Sequence, residues 1–358
     1  MKEYELSHQP GRMGNIRKGY MWDSVFQEVD METNQVIFEW HASDHYRVDE
    51  SDFPAGNAGR SKNNGYDFFH INSIDKDVAG NYLVSSRYMQ GVSYIDGKTG
   101  EVLWVLGGRR NSFTDKSGGT ATKFGWQHDA RWNADHTGIH LFDNGARYGL
   151  KPSVEASRGV EVLLDTTTMT AEIKAEFVNP RKIISGSQGS MQVLPSGNVL
   201  LGFGYNAAWT EFSSEGEPLC DVHVGSEKTF NTGAVQTYKV NKAAWVGKPN
   251  TAPKIAVVGS EVFLSWNGAT EVKKWRIQGS RGTGVDLQAV VEVEKTGFET
   301  SVRVYCEEWH LVRGLALDGS GAELGVTEVV STDCAVSQTP NAVELRSLLT
   351  CVLLAWRN

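Results

Sequence analysis

The nine residues from Phe124 to Trp132 read Phe-Gly-Trp-Gln-His-Asp-Ala-Arg-Trp and crowd a histidine, an acid, an arginine and two tryptophans into one short stretch. A histidine titrates near neutrality and serves as base or nucleophile. A carboxylate, Asp129 or another, would orient His128, and Arg131 offers a planar fork for an anion. Gly125 marks a bend or a close backbone approach. Taken alone, the stretch fits a structural histidine at a strand entry equally well. Two related segments make it more than that. Asp67 to Ile74 carries His70, and Gly186 to Gln192 carries Gln188 at the matching place. Polar groups repeated at one depth need a common partner or water. A shared pocket formed by His70, His128 and Gln188 is therefore expected.

Other side chains can complete such a pocket. Arg87 and Arg147 follow the inner strands of the first two units, in Ser86-Arg87-Tyr88 and Gly145-Ala146-Arg147-Tyr148. Each can clamp an anion. Tyr205 and Trp209 occupy the corresponding stretch of the third unit and can supply an aromatic wall. His41 and His45 are four apart but on no convincing helix, so they read as a solvated loop and no metal site is expected. Neither a Gly-rich phosphate loop nor a serine nucleophile elbow is present.

The elements that must position these residues are repeated strands. Gly80-Asn81-Tyr82-Leu83-Val84-Ser85 and Gly197-Asn198-Val199-Leu200-Leu201-Gly202 are near copies, and Gly138 to Asp143 is a looser one. A turn rich in Asp, Thr and Gly followed by an apolar strand recurs at residues 30–40, 96–106, 165–177 and 213–224, and a Gly-led strand precedes each of the last three. The unit is thus site segment, Gly-led strand, tight turn, outer strand, with about four copies between residues 20 and 245. Repeats of this size read as a β-propeller or a related array. Helical periodicity is scarce. The chain turns linker-like from Asn241 to Pro253. Short strands then follow at the spacing of an immunoglobulin-like or fibronectin-like sandwich, with a tryptophan in an early strand. The expected organisation is all-β: a propeller over 1–245, a small β-sandwich over 246–332, and an extension over 333–358 in which Leu345 to Trp356 reads as helix or strand.

Composition bounds the partners. Acidic residues outnumber basic ones by 43 to 35, leaving a net charge of −8, so no basic surplus exists to displace counterions from a nucleic-acid backbone. The longest apolar run, Leu348 to Trp356, is far short of the ~20 residues of a membrane-spanning helix. The first twenty residues are polar and carry no signal core. The four cysteines, Cys220, Cys306, Cys334 and Cys351, contain no Cys-x-x-Cys pair, which argues against a zinc or redox motif.

Four ordered motifs resemble the fungal branch of the arylsulfotransferase family: His70-Ile71-Asn72-Ser73-Ile74, Trp126 to Arg131, Ser187-Gln188-Gly189-Ser190 and Ser265-Trp266-Asn267-Gly268-Ala269-Thr270. The resemblance runs from about Trp22 to Val330. It implies a six-bladed propeller, usually secreted, with a central funnel. It also implies transfer of a sulfuryl group between phenols through a sulfated histidine, without a nucleotide sulfate donor or other cofactor. On this likeness His70 and His128 are two funnel histidines and Arg147 binds the sulfate. The sulfated histidine falls at Gln188, whose amide nitrogen has no available lone pair, so His128 is expected as nucleophile or general base, with Arg147 and His70 stabilising charge on the sulfuryl oxygens. About four repeats stand where the family has six, so either two blades and a signal segment lie upstream or the ring is smaller. The expected ligand is a small phenol or aryl sulfate. The alternatives are a pocket that shapes such a molecule without covalent chemistry, in the manner of a pericyclase or isomerase of secondary metabolism, and an inactive truncated relative.

Overall fold

A computed structural model describes residues 1–5, 18–230, 232–282, 284, 286–305 and 307–332. The chain divides into two compact units, Met1–Lys242 and Ala243–Asn358. Among the described residues nearly all regular structure is strand, and one α-helix, α1 (Ala42–His45), is a single turn.

The first unit opens with β1 (Lys2–Glu5) paired to β2 (Lys18–Trp22), followed by the hairpin β3 (Val25–Val29) and β4 (Val36–His41). The short β5 (Tyr66–Asp67) then returns to β2 in parallel. Three antiparallel meanders follow. The first is β6 (Ile71–Lys76), β7 (Tyr82–Ser86), β8 (Gly91–Ile95) and β9 (Val102–Gly107). The next element, β10 (Thr114–Asp115), lies parallel to the outer strand of the second meander, which is β11 (His128–Trp132), β12 (Gly138–Asp143), β13 (Arg158–Asp165) and β14 (Thr170–Val178). The third is β15 (Ser190–Val193), β16 (Val199–Phe203), β17 (Ala208–Phe212) and β18 (Pro218–His223). Each meander is a propeller blade, and the fold is an all-β propeller type. The inner strands meet: Asn72 on β6 donates to the Gln127 carbonyl at 2.5 Å, and Ser73 donates to the Ala130 carbonyl at 3.3 Å.

Blades stack face to face, so their middle strands are covered on both sides and read as unbroken apolar runs. On β7, Tyr82 and Val84 pack with Phe26, Trp40 and Ile95 on one face. Leu83 packs with Val92, Trp104, Ile139 and Leu141 on the other. A further layer joins Phe142 to Phe177, Leu201, Phe203 and Phe212.

The repeated turns have one chemistry. Asp30, Asp96 and Asp165 each accept the amide of the residue three further on, Thr33, Thr99 and Thr168, at 2.7 to 3.0 Å, and each also accepts that threonine's hydroxyl. Such side-chain-closed turns fix a hairpin locally. The hairpin of β3 and β4 carries the same turn as the outer hairpins of the first two complete blades.

The second unit pairs β19 (Lys254–Val258), β20 (Glu261–Ser265) and β23 (Glu299–Arg303) in one sheet. The other sheet orders β22 (Gln288–Glu294), β21 (Lys274–Ser280), β24 (Leu311–Leu317) and β25 (Glu323–Val326), with β26 (Val330–Ser331) on β24. Val262, Leu264, Trp275, Ile277 and Val312 form its core. Of the two tryptophans in its early strands and turns, Trp275 is the one fully buried; Trp266 is only partly buried and donates to the Thr251 carbonyl at 2.7 Å. Cys220 lies exposed on β18. Cys306, Cys334, Cys351 and the stretch Leu345 to Trp356 lie outside the described residues.

Candidate functional site

Each inner strand is entered through a strained corner. His70, Trp126, Asp129 and Gln188 have φ of 59°, 57°, 55° and 60°, the left-handed region that side chains rarely occupy. The ladder is irregular just beyond, between Ile71 and Ser73 and between His128 and Arg131. Strain of this kind clusters at functional sites.

His70 is half-buried, and its Nδ1–H donates to the Asp67 carboxylate at 2.5 Å. A carboxylate only accepts, so the neutral ring keeps its lone pair on Nε2, for which no hydrogen bond is found among the described residues. The ring lies 4.7 Å from that of Tyr88.

His128 is 3% exposed and closed on both sides. The Gln188 amide donates to its Nε2 at 3.1 Å, which leaves Nδ1–H to donate to the Asn144 side-chain oxygen at 2.7 Å. Asn144 in turn donates to the carbonyls of Ser185 and Gln188, both at 2.9 Å. Burial first, and then the neighbouring Arg87 cation, depress the His128 pKa to about 3. It is a neutral imidazole near neutrality. The orienting group is therefore Asn144 and not a carboxylate. Asp129, expected beside His128, instead accepts from Arg131 at 3.1 Å and from Lys239 at 2.5 Å. Arg131, expected to hold an anion, is taken up by Asp129 and by the Ile74 carbonyl at 2.6 Å.

The free cations are elsewhere. Arg87 is 8% exposed, donates through one terminal nitrogen to the Gly186 carbonyl at 2.8 Å, and leaves its buried Nε without a partner. No carboxylate pairs with it among the described residues. Burial, and more weakly the charge of nearby Arg147, push its pKa down. Arg147 likewise has no carboxylate partner among the described residues; its guanidinium lies 4.1 Å from the centre of the Phe53 ring and 5.8 Å from that of Trp126. Phe53 stacks on Tyr88 at 4.3 Å, and Tyr88 meets Trp126 edge-on at 6.1 Å. Two arginines without a carboxylate partner among the described residues thus lie against one aromatic cluster.

Beside them opens a cleft of about 200 Å³ that includes Arg147, Tyr148, Gly186 and Tyr205. Tyr205 thus stands where an aromatic wall is expected. Trp209 does not join it: it sits on β17, paired with Gly202 and Val222. The corner at Gly125 and Gly145 is held by the fully buried Asp143, which accepts both amides at 3.0 Å and pairs with Arg158 at 3.0 Å. Burial pushes the Asp143 carboxyl up, while these donors pull it back.

A strap over 236–242 crosses this region. Gln236 accepts from the Gln188 side chain at 2.7 Å, the Tyr238 carbonyl accepts the Gly189 amide at 3.1 Å, and Lys239 reaches Asp129. The Tyr238 ring stands edge-on to His128 at 6.3 Å.

His70, His128, Gln188, Arg87, Arg147 and Tyr205 are thus joined by contacts, shared cleft walls or mutual charge effects. Residues that sequence reading left out are Asp67, Phe53, Tyr88, Asn144 and Tyr238. Asp67 had a signal, since it stands three residues before His70. His41 is held between Asp23 at 2.8 Å and Glu39 at 2.9 Å, while His45 stacks on Trp40, so the two histidines do not converge. No cluster suited to a metal occurs among the described residues.

Among solved structures, the chain resembles a protein of unknown function from Bacteroides caccae (11% identity, 88% of each chain, TM-score 0.34). It also resembles the β-propeller domain of Myceliophteria thermophila Cps50 (12% identity, 88% of this chain and 81% of that one, TM-score 0.31). A third is the PQQ-bound aldose sugar dehydrogenase of Streptomyces coelicolor (13% identity, 73% and 80% covered, TM-score 0.30). Likenesses this distant say nothing of activity. No curated protein matches the chain. The family model described as arylsulfotransferase (ASST) matches residues 5–225, more than half of the chain and all three complete blades. A match over that much of the sequence shows that the chain belongs to the arylsulfotransferase (ASST) family.

Proposed function

We propose that the first unit transfers a sulfuryl group from an aryl sulfate to a phenol, with His70 as the reacting histidine. The observation that carries this reading is that Arg87, a buried cation without a carboxylate partner among the described residues, donates its backbone amide at 3.0 Å to the carbonyl of His70, whose Nδ1 is taken by Asp67. The Nε2 lone pair attacks sulfur, the S–O bond to the aryl group breaks, and the electron pair leaves as phenolate. Asp67 stabilises the cationic sulfated ring through Nδ1–H. Arg87 and Arg147 face the charge on the sulfuryl oxygens. The acceptor phenol then attacks sulfur, the N–S bond breaks, and the pair returns to Nε2. The first phenolate gains a proton and the second phenol loses one, so the cycle is proton-neutral.

His128 suits a supporting role in this scheme, because its Nε2 lone pair already accepts the Gln188 amide. Gln188 stands where the family's reactive histidine falls, and its side chain donates to Gln236. The test is incubation with a chromogenic aryl sulfate and a phenol acceptor, followed by peptide mass spectrometry. Transfer with a sulfated His70 peptide is expected, and His70→Ala should lose both by at least about 1,000-fold. Sulfation at His128, or full activity in His70→Ala, would reject His70 as the reacting group.

A second reading, a pocket that orients an aromatic ligand without covalent chemistry, is favoured by the doubly bonded His128 and by Gln188. Saturable binding of a phenol with no release of sulfate would favour it.

A further inference from the structure

Transfer between two phenols moves a proton as well as a sulfuryl group. The departing aryl oxygen gains one, and the acceptor hydroxyl loses one. The histidines and arginines of the pocket do not carry it. His70 gives its Nδ1–H to Asp67 at 2.5 Å. His128 donates to Asn144 through Nδ1 and accepts the Gln188 amide at Nε2, and burial keeps its ring from taking a second proton near neutrality. Arginine does not give up its proton in a protein.

Tyr88 stands where a carrier is needed. Its ring centre lies 4.7 Å from that of His70. The Arg87 guanidinium carbon is 5.5 Å from the centre of the same ring, and the Tyr88 hydroxyl hydrogen-bonds that cation. The residue is fixed from several directions. Its amide donates to the Phe69 carbonyl at 3.2 Å, and its own carbonyl accepts the Asp52 amide at 2.8 Å. Phe53 stacks on the ring at 4.3 Å, and Trp126 closes on it edge-on at 6.1 Å. With 7% exposure the side chain has little freedom. A hydroxyl held so needs little reorganisation to act.

We propose that Tyr88 is the proton carrier of the transfer, giving a proton to the departing aryl oxygen and taking one from the acceptor. The assignment rests on the transfer reading above. In the first half, His70 Nε2 attacks sulfur, the S–O bond to the aryl group breaks, and the aryl oxygen takes the Tyr88 proton as it departs. A phenol leaves, and the tyrosinate stays beside the Arg87 cation. In the second half, the acceptor oxygen attacks sulfur while its proton passes to that tyrosinate. The N–S bond breaks and its electron pair returns to Nε2. Tyr88 ends protonated, as it began, and no outside acid or base is consumed.

Leaving groups of different basicity separate this role from a structural one. 4-Nitrophenolate departs unaided, whereas the more basic phenolate needs the proton. The experiment measures kcat/KM for 4-nitrophenyl sulfate and phenyl sulfate at a fixed phenolic acceptor, on the full chain and on Tyr88→Phe. That variant keeps the ring against Phe53 and removes only the hydroxyl. Phenyl sulfate should lose about 100-fold or more, and 4-nitrophenyl sulfate less than about threefold. Peptide mass spectrometry after 4-nitrophenyl sulfate alone should still find sulfated His70 in the variant. Equal losses for the two donors, or no loss for either, with His70 still sulfated, overturn the role of Tyr88 and leave the transfer reading standing. A second measurement needs no variant: the unaltered protein should slow more in heavy water with phenyl sulfate than with 4-nitrophenyl sulfate. Equal slowing also overturns the proposal. Failure of the unaltered protein to consume either donor rejects the transfer reading, and the role of Tyr88 falls with it.

Discussion

Arg87 is the side chain whose burial can be tested most directly. A buried cation without a counter-charge lowers stability, and an apolar residue of similar size relieves that. Arg87→Met should therefore raise the unfolding free energy of the sulfate-free protein by about 1 kcal/mol or more. Inorganic sulfate should raise the Tm of the unaltered protein, and Arg87→Met should abolish that rise. Thermal melts with and without sulfate check both. A purely structural arginine would give the opposite sign for the first.

His128 makes a second case. Its folded pKa, about 3, lies below its unfolded value near 6.5. Above pH 6.5 both states are neutral and the full stability is present. As pH falls from there, the unfolded chain takes up a proton that the folded protein refuses, so stability drops. The loss from this one group should reach about 2 kcal/mol between pH 7 and pH 5. Urea unfolding at both pH values measures it, and His128→Gln should remove that part of the slope. An identical slope in the variant would contradict the burial argument. At this scale the sequence revealed which residue types gather and misread their pairings. His128 found Asn144 and the Gln188 amide, and Asp129 found Lys239, because partners 16, 60 and 110 positions away depend on how blades meet.

The elements were far more legible than the pairings. An Asp-to-Thr turn closes on itself within three residues, so its repetition at Asp30, Asp96 and Asp165 was readable before any tertiary contact. Gly-led apolar runs likewise marked the middle strands, because both faces of a stacked blade are covered. The strap over 236–242 had no such signal. It runs beside β15 with side chains completing its hydrogen bonds: Val240 N–H donates to the Ser190 hydroxyl at 3.0 Å, and Lys242 N–H to the Gln192 side chain at 2.8 Å. An element tied this way has no alternation to read. Its anchor is the Lys239 pair with Asp129, a carboxylate only 7% exposed. Lys239→Met should speed amide exchange at Val240 and Lys242 by roughly tenfold, a loosening of about 1.4 kcal/mol. The amides of β16 should keep their protection. Hydrogen exchange with peptide resolution would separate the two, and equal acceleration in both would mean that the ion pair supports the whole blade.

On the scale of the molecule, the candidate site draws all its residues from the first unit. Leu264, fully buried in the sandwich core, tests the independence of function from the second unit. Leu264→Ala should weaken that unit by about 3 kcal/mol. The sulfate-dependent rise in Tm of the first unit's transition should be unchanged, as calorimetry would show. The sandwich was legible as closely spaced short strands. Which tryptophan fills it was not, since Trp266 and Trp275 stand in similar company and only packing distinguishes them. One further consequence belongs to the whole chain. The backbone takes a glycine's geometry at His70, Trp126, Asp129 and Gln188, and each such corner costs about 1 kcal/mol that glycine would not. Glycine at His70 or Gln188 should therefore relax the backbone while deleting the side chain that the corner carries, whereas at Trp126 and Asp129 it would also empty a buried position and release Lys239.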